Sequence, residues 1–285
     1  MTVYTFWEPR EKMPYYIKLC METWKKNLPN AEIVLLDYKN LGEYIDVKEF
    51  NPILFSGRFK LALIADALRV ALLAKRGGIW LDADTIILSS KAEKYFRPDE
   101  KNRTIFFGHV NMRAPHIAFI NTPPGAECMN AWFEFIREKL QALTPETEID
   151  AFFLGNDFIN SFSKNHVDEI EVLERKLVMP ELKVIPKSEK ETLKSRMTAH
   201  RLYYHMKTFH LSDVNYDMIL LHNSWVPAMY KKFSPEDLLR CDCTLTNVLA
   251  EALDMKLPPQ EERFRLFHRD DKKWIKIHDT STPKI

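Results

Sequence analysis

The sequence predicts an α/β fold, with a central, mostly parallel sheet and helices on both faces. Three observations carry that prediction. The chain opens on a β-α-β pattern, its most apolar segment is a helix stopped by two adjacent glycines, and a short apolar strand follows that stop at once. Parallel neighbours need a crossover connection between them, and a helix is the usual one.

The first strand is Val3 to Trp7, followed by a loop from Glu8 to Met13. Pro14 stands where a helix can begin, since proline at the first turn forfeits no hydrogen bond. Ile17, Cys20, Met21, Trp24 and Leu28 then keep helical spacing and give one apolar face. Asn27 to Asn30 breaks the pattern, and Ile33 to Leu36, an apolar run ending at Asp37, reads as a buried strand. Arg58 to Arg76 is the strongest helix: Leu61, Leu63, Ile64, Leu68, Val70, Leu72 and Leu73 make it apolar nearly all round, so it should be buried. Only Asp66 and Arg69 interrupt its middle. Gly77-Gly78 should end it, because glycine accepts the left-handed conformation that stops helices; the chain holds only seven glycines and places two here. Ile79-Trp80-Leu81 then runs into Asp82-Ala83-Asp84 and Thr85 to Leu88.

Beyond this point, Thr104 to Phe107 and Ile117 to Ile120 read as strands, and Met129 to Leu140 as an amphipathic helix. Asp150 to Phe162 is expected to be helical, Met218 to Leu221 a strand, and Leu245 to Leu253 a helix. Residues 165–216 mix short apolar runs with charge and are broken at Pro180 and Pro186. The tail from Pro258 interleaves charges with aromatics.

With 285 residues, 46% hydrophobic and 12% aromatic, the chain can bury a sizeable core. No repeat or low-complexity linker divides it, so one domain is expected over 1–285, in three stretches: 1–120, 121–257 and a C-terminal extension, 258–285. A formal net charge of +1 gives no field that would draw in nucleic acid, and no nucleic-acid partner is expected. The four cysteines do not make a disulfide framework in a chain of this length. Cys241-Asp242-Cys243 is also too tight for a two-residue-spaced zinc pair. Reduced thiols suit a cytoplasmic location. No charged region leads into an apolar run, and no stretch of about 18 apolar residues occurs, so neither a secretory signal nor a transmembrane helix is expected.

Asp82 and Asp84 lie two apart where an apolar strand gives way. On an extended chain, residues i and i+2 project to one side. Both carboxylates would then face the crevice beyond the strand's carboxyl end, where open α/β sheets bind ligands. Two hard oxygen ligands suit Mn²⁺ or Mg²⁺, with a substrate diphosphate completing the shell. A D-x-D triplet by itself equally marks a turn or a solvated strand end.

The context carries a resemblance. Ala65-Asp66-Ala67-Leu68-Arg69 followed by Gly77-Gly78-Ile79-Trp80-Leu81-Asp82-Ala83-Asp84 resembles the SD-x-x-R … GG-[IV]-[YW]-x-D-x-D signature of a glycosyltransferase superfamily. Its members include the family 32 glycosyltransferases, the bacterial capsular-polysaccharide synthesis transferases and the large clostridial glucosylating toxins. Tyr16 to Lys26 with Ala31 to Asp37 is similar to the group's C-x-x-T/S-W-x-x-x-x-P-x-[YW]-E-[IV] opening, and Leu221 to Pro227 to its closing x-N-S-W segment. Ala65 departs from the usual serine.

The resemblance implies a Rossmann-like, GT-A type nucleotide-diphosphosugar fold, with residues 1–120 binding the donor and 121–257 forming the acceptor side and a closing loop. It implies that Trp7 stacks on the nucleotide base and that Asp66 and Arg69 contact donor-sugar hydroxyls. Asp82 would reach ribose and sugar hydroxyls while Asp84 ligates the metal. His222 or Asn223 would add a metal ligand, with Ser224 an alternative, and Trp225 would donate to the diphosphate. Read from the residues alone, Asp66 and Arg69 are three apart and equally suit an intrahelical ion pair; Trp7 suits a core position, and His222 a structural one. Asp150, Asn156 and Asp157 accompany one expected helix. Asp157 is the candidate that could act on the sugar or acceptor, although solvated helix charges have the same pattern.

The implied activity is a retaining, metal-dependent hexosyl transfer. The donor would be a nucleotide-diphosphate sugar, UDP favoured over GDP. The acceptor would be a glycan or lipid-linked glycan of capsule, lipopolysaccharide or exopolysaccharide. The alternative is a degenerate, non-catalytic sugar-nucleotide-binding or scaffolding module. No G-x-x-x-x-G-K-[ST] loop is present, and the segment Trp7 to Lys12 after the first strand holds no glycine, which argues against a P-loop enzyme, a dehydrogenase and a methyltransferase. The tail from Phe264 to Ile277, rich in Arg, Lys, Phe and Trp, could rest on the inner face of an anionic membrane, or be a solvated extension.

Overall fold

The computed structural model describes residues 1–50, 52–108, 114–150, 153–178, 203–204, 216–268 and 274–277. In chain order the strands are β1 (Thr2–Phe6), β2 (Glu32–Leu36), β3 (Gly78–Leu81), β4 (Thr85–Ile87), β5 (Thr104–Gly108), β6 (Pro115–Thr122), β7 (Ile170–Leu173), β8 (Met218–Leu220), β9 (Arg265–His268) and β10 (Trp274–Ile277). The first five helices are α1 (Tyr15–Asn27), α2 (Leu41–Tyr44), α3 (Leu61–Arg76), α4 (Glu127–Gln141) and α5 (Asn156–Asn165). The chain forms two compact units. Unit one comprises residues 1–12, 30–83 and 93–175; unit two comprises 13–29, 84–92 and 176–285.

Unit one is built on a six-stranded sheet of order β2-β1-β3-β6-β5-β7. β1 pairs in parallel with β2 (Thr2 with Glu32 to Phe6 with Leu36) and with β3 (Val3 with Ile79, Tyr4 with Trp80). β6 is antiparallel to both β3 and β5, and β5 is parallel to β7. β6 alone therefore runs against the rest, which gives the mixed, mostly parallel α/β sheet expected. On one face Tyr4, Phe6, Leu36, Trp80, Phe106 and Ile120 share a core with Leu68 and Leu72 of α3, Trp132 and Ile136 of α4, and Ile159 of α5. Each large side chain buried there is worth roughly 1.5–3 kcal/mol, so α3, buried along most of its length, is held by packing. On the other face Phe107 lies 5.1 Å from Tyr95, and Phe119 lies 5.5 Å from Phe96.

Gly77 ends α3 at φ 60°, its N–H still bonded to the Leu73 carbonyl at 2.9 Å. A methyl group there would stand 2.3 Å from the Pro124 nitrogen. The helix begins at Leu61 rather than Arg58, because Lys60 is extended at its N-cap. The helix expected over Asp150 to Phe162 instead starts at Asn156 and runs to Asn165. Gly155 caps it and lies so close to the Trp132 ring that a methyl group would meet it at 2.8 Å. Asp150 precedes that helix without helical structure, and residues 151–152 lie outside the described set.

Unit two pairs β4 with β8 in an antiparallel ladder and β9 with β10 in a hairpin. α1 serves the outer edge of β4. Thr23 Oγ1 accepts the Ile87 N–H at 2.9 Å, Trp24 Nε1 donates to the Thr85 carbonyl at 2.7 Å, and Asn27 Nδ2 donates to the Ile87 carbonyl at 2.8 Å. A strand edge left unpaired in the interior would cost about 1–3 kcal/mol per group, and three side chains of one helix remove that cost. The helix Thr244–Ala252 is buried over most of its residues. All four cysteines are free and buried. Pro180, Pro186 and much of the tail lie outside the described residues. Among the described residues no helix is long and apolar enough to cross a membrane.

Candidate functional site

In unit one, four of the expected donor-binding residues, Trp7, Asp66, Arg69 and Asp82, lie at the carboxyl ends of neighbouring parallel strands; the other two, Ser224 and Trp225, belong to unit two. Trp7 follows β1 directly, half-buried, and its N–H bonds the Leu36 carbonyl at 3.0 Å. Asp82 follows β3, and its N–H bonds the Ala118 carbonyl of β6 at 2.8 Å. The α3 pair reaches the same end. Arg69 forms ion pairs with Asp66 Oδ1 at 3.0 Å and with Asp82 Oδ1 at 3.1 Å. It also donates to the Ile117 carbonyl, and its guanidinium lies over the Trp80 ring, 5.0 Å from the centroid. The Trp80 indole N–H donates to the same Asp82 oxygen at 2.8 Å.

This network is graded in exposure. The Arg69 side chain is 4% exposed, that of Asp66 12% and that of Asp82 33%. Burial raises the Asp66 carboxyl to about 6, outweighing the pull of Arg69, and the Asp82 charge raises it further. Arg69 and Trp80 thus fix one oxygen of Asp82 from within, while the carboxylate remains the accessible end of the chain of contacts. The intrahelical ion pair and the site geometry coexist.

Beyond Asp82 the expectation of two side chains on one face of an extended strand does not hold. Ala83 and Asp84 form a turn, so the two-residue alternation of a strand does not apply across the triplet. Asp82 belongs to unit one and Asp84 to unit two.

In unit two Asp84 is buried, 6% exposed, just ahead of β4. Its charge contributes to the raised titration of Tyr16, Cys20 and Tyr204, in each case after burial as the largest cause. After β8, the short helix Asn223–Trp225 carries the closing N-S-W segment. Asn223 Oδ1 accepts the Tyr16 hydroxyl at 2.5 Å. His222 and Trp225 stack with centroids 4.4 Å apart and planes tilted 36°. His222, Asn223 and Trp225 are half-buried, and Ser224 is exposed.

Among the described residues no group of three His, Cys, Asp or Glu side chains could hold a metal. A divalent cation at Asp84 would therefore draw on an amide or hydroxyl oxygen, an imidazole, water or substrate phosphate. That mixed, oxygen-rich set fits Mg²⁺ or Mn²⁺, which use one or two carboxylates and keep waters or phosphates in the shell. Asp157 stands exposed in the first turn of α5, in unit one.

Two contributors had been given no role from sequence. Trp80 stood in the quoted glycine-glycine pattern, and only the coordinates show its indole on Asp82. Tyr16 opened the quoted N-terminal pattern, and its partner lies 207 residues away, a separation that local patterning cannot reveal.

Residues 1–120 match the family model described as capsular polysaccharide synthesis protein. The resemblance read from the sequence holds over that segment. No curated protein matches the chain. Among solved structures, the chain is similar to the galactosyltransferase LgtC in complex with donor and acceptor sugar analogues, at 11% identity and TM-score 0.46, over 92% of this chain and 98% of that one. It is also similar to PaToxG glycosyltransferase, at 13% identity and TM-score 0.38, over 90% and 87%. A third is the apo form of the glycosyltransferase GlyE of Streptococcus pneumoniae, at 11% identity and TM-score 0.44, over 91% and 65%.

Proposed function

We propose that this chain is a metal-dependent, retaining glycosyltransferase that moves a hexosyl group from a nucleotide-diphosphate sugar, UDP favoured, to a glycan or lipid-linked glycan during bacterial surface-polysaccharide synthesis. The observation that carries the reading is the Asp66–Arg69–Trp80–Asp82 network at the carboxyl end of β3, inside the segment that matches the capsular-polysaccharide family. A buried guanidinium shared by two carboxylates and capped by a tryptophan contributes little net stability against an apolar alternative. Polar chemistry built into so apolar a helix is better accounted for by a ligand.

In this reading Trp7 stacks on the base. Asp66 and Arg69 bind donor-sugar hydroxyls, and Asp82, oriented by Arg69 and Trp80, binds ribose and sugar hydroxyls. Asp84 ligates Mn²⁺ or Mg²⁺ with Asn223 or His222, and Ser224 or the Trp225 indole N–H takes a diphosphate oxygen. Stacking on His222 limits the rotation of that indole. Asp157 is the acceptor-side candidate. When bound, the cation offsets charge building on the departing diphosphate. The chain's own side chains position the sugar and exclude water, and the leaving phosphate takes the acceptor's proton on the same face, so configuration is retained. The enzyme would work in the cytoplasm, with the tail from Phe264 to Ile277 as the candidate contact with the inner membrane face.

The test is thermal unfolding with UDP-, GDP- and CDP-sugars, with and without Mn²⁺. A ligand at a hundred times its Kd stabilises by about 2.7 kcal/mol. We expect a rise of several degrees for one nucleotide, present only with metal and absent in Asp84→Ala, together with slow donor hydrolysis. Folded protein that responds to no nucleotide and hydrolyses no donor would instead be the non-catalytic module.

A further inference from the structure

Tyr16 has no part in the roles assigned above, yet it is built into the same unit as Asp84. It lies in the first turn of α1 with none of its surface exposed. Its ring stands 5.7 Å from Tyr230, which in turn stands 5.1 Å from Tyr204. Both neighbours are buried, so the ring has little room to turn. Its hydroxyl is committed to one partner, the Asn223 side-chain oxygen at 2.5 Å. Asn223 is the more exposed member of the pair.

We propose that Tyr16 is a positioning residue that fixes the Asn223 amide oxygen toward a divalent cation held by Asp84. The proposal rests on the metal reading above and adds to it which of His222, Asn223 and Ser224 is the second protein ligand. An amide oxygen carries two lone pairs. The phenol occupies one, which leaves the other for a cation and sets which end of the amide faces inward. Without that donor the terminal amide torsion is broad and roughly two-fold, and the NH₂ group, which cannot ligate, faces the site part of the time. Partners behind a ligand commonly change metal affinity about 10–100-fold.

The experiment is Mn²⁺ titration of the full chain in the presence of UDP, followed by the electron paramagnetic resonance of free Mn²⁺. It compares the natural protein, Tyr16→Phe, Asn223→Ala and the double variant. Thermal midpoints without metal are recorded alongside. We expect Tyr16→Phe to weaken Mn²⁺ binding about tenfold and Asn223→Ala to weaken it at least as much. The double variant should be no weaker than Asn223→Ala alone, because the phenol acts only through the amide. A merely structural tyrosine would lower the midpoint and leave Mn²⁺ affinity unchanged, which overturns the proposal. Additive losses in the double variant overturn it too. Should Tyr16→Phe not fold, Asn223→Ala still decides: unaltered Mn²⁺ affinity removes Asn223 as a ligand and Tyr16 with it. If the natural protein binds no Mn²⁺ with UDP, the metal reading itself falls, a result distinct from the others.

Discussion

Arg69 has to satisfy a guanidinium inside an apolar helix. It does so with two carboxylates, the Ile117 carbonyl and the Trp80 face. The price is borne by Asp66, whose carboxyl burial raises to about 6 from 3.8. A group raised in the folded state stabilises fully below its unfolded value, and that contribution disappears as pH rises through the folded one. From this residue alone, stability should fall between about pH 4 and pH 7, by up to ~3 kcal/mol at 1.36 kcal/mol per pKa unit. Asp99, lowered to about 2 by the Arg103 side chain, acts with the opposite sign and only in more acidic solution. Urea unfolding of the natural chain and Asp66→Asn at pH 4 and 7 separates the effect. The drop attributable to Asp66 should vanish in the variant, and equal pH slopes in both proteins would contradict this account. Trp7, Asp66, Arg69, Asp82 and Asp84 could be singled out as candidates from the sequence because they occupy fixed places in a composite pattern. Their geometry was not: the turn at Ala83 and Asp84, and the Trp80 indole on Asp82, depend on β6 and on packing that local spacing does not encode.

At the scale of elements, the same opening pattern gains a physical reason. Its threonine and tryptophan, Thr23 and Trp24, hold the backbone of β4, the strand that follows Asp84. Periodicity marked α1, α3, α4 and the strands β1 to β3, while α2, β7, β9 and β10 were not expected, and α3 stopped where two glycines said it would. The start of α5 was misjudged because Gly155 answers to the Trp132 ring, a contact made across sequence. Gly77 offers the sharpest test. Its φ of 60° and the 2.3 Å approach to the Pro124 nitrogen leave no room for a side chain, and backbone strain alone is worth about 1–3 kcal/mol. Gly77→Ala should lose at least ~2 kcal/mol in chemical denaturation, backbone strain and the clash acting together. Gly42→Ala, where nothing lies within 4 Å, should stay within about 0.5 kcal/mol, as ordinary exposed substitutions do. Equal losses at the two glycines would refute the steric argument.

For the whole molecule, the sequence suggested a single domain in three consecutive stretches; the fold groups into two compact units, each assembled from separated segments. Composition carries no mark of such interleaving, since no linker separates the parts. Neither unit is a continuous stretch that could fold as the chain emerges, so we expect one cooperative transition in calorimetry, with calorimetric and van't Hoff enthalpies equal. Two resolved transitions would mean that the units melt independently. The interleaving also bears on how such a protein can be recombined. The stretch matching the family model ends at residue 120, inside β6, and holds portions of both units. A chimera joined at that point would divide one strand between two parents and mix the ancestry of both units. Viable gene exchange in this chain should therefore favour replacement of the whole sequence over transfer of its most recognisable segment.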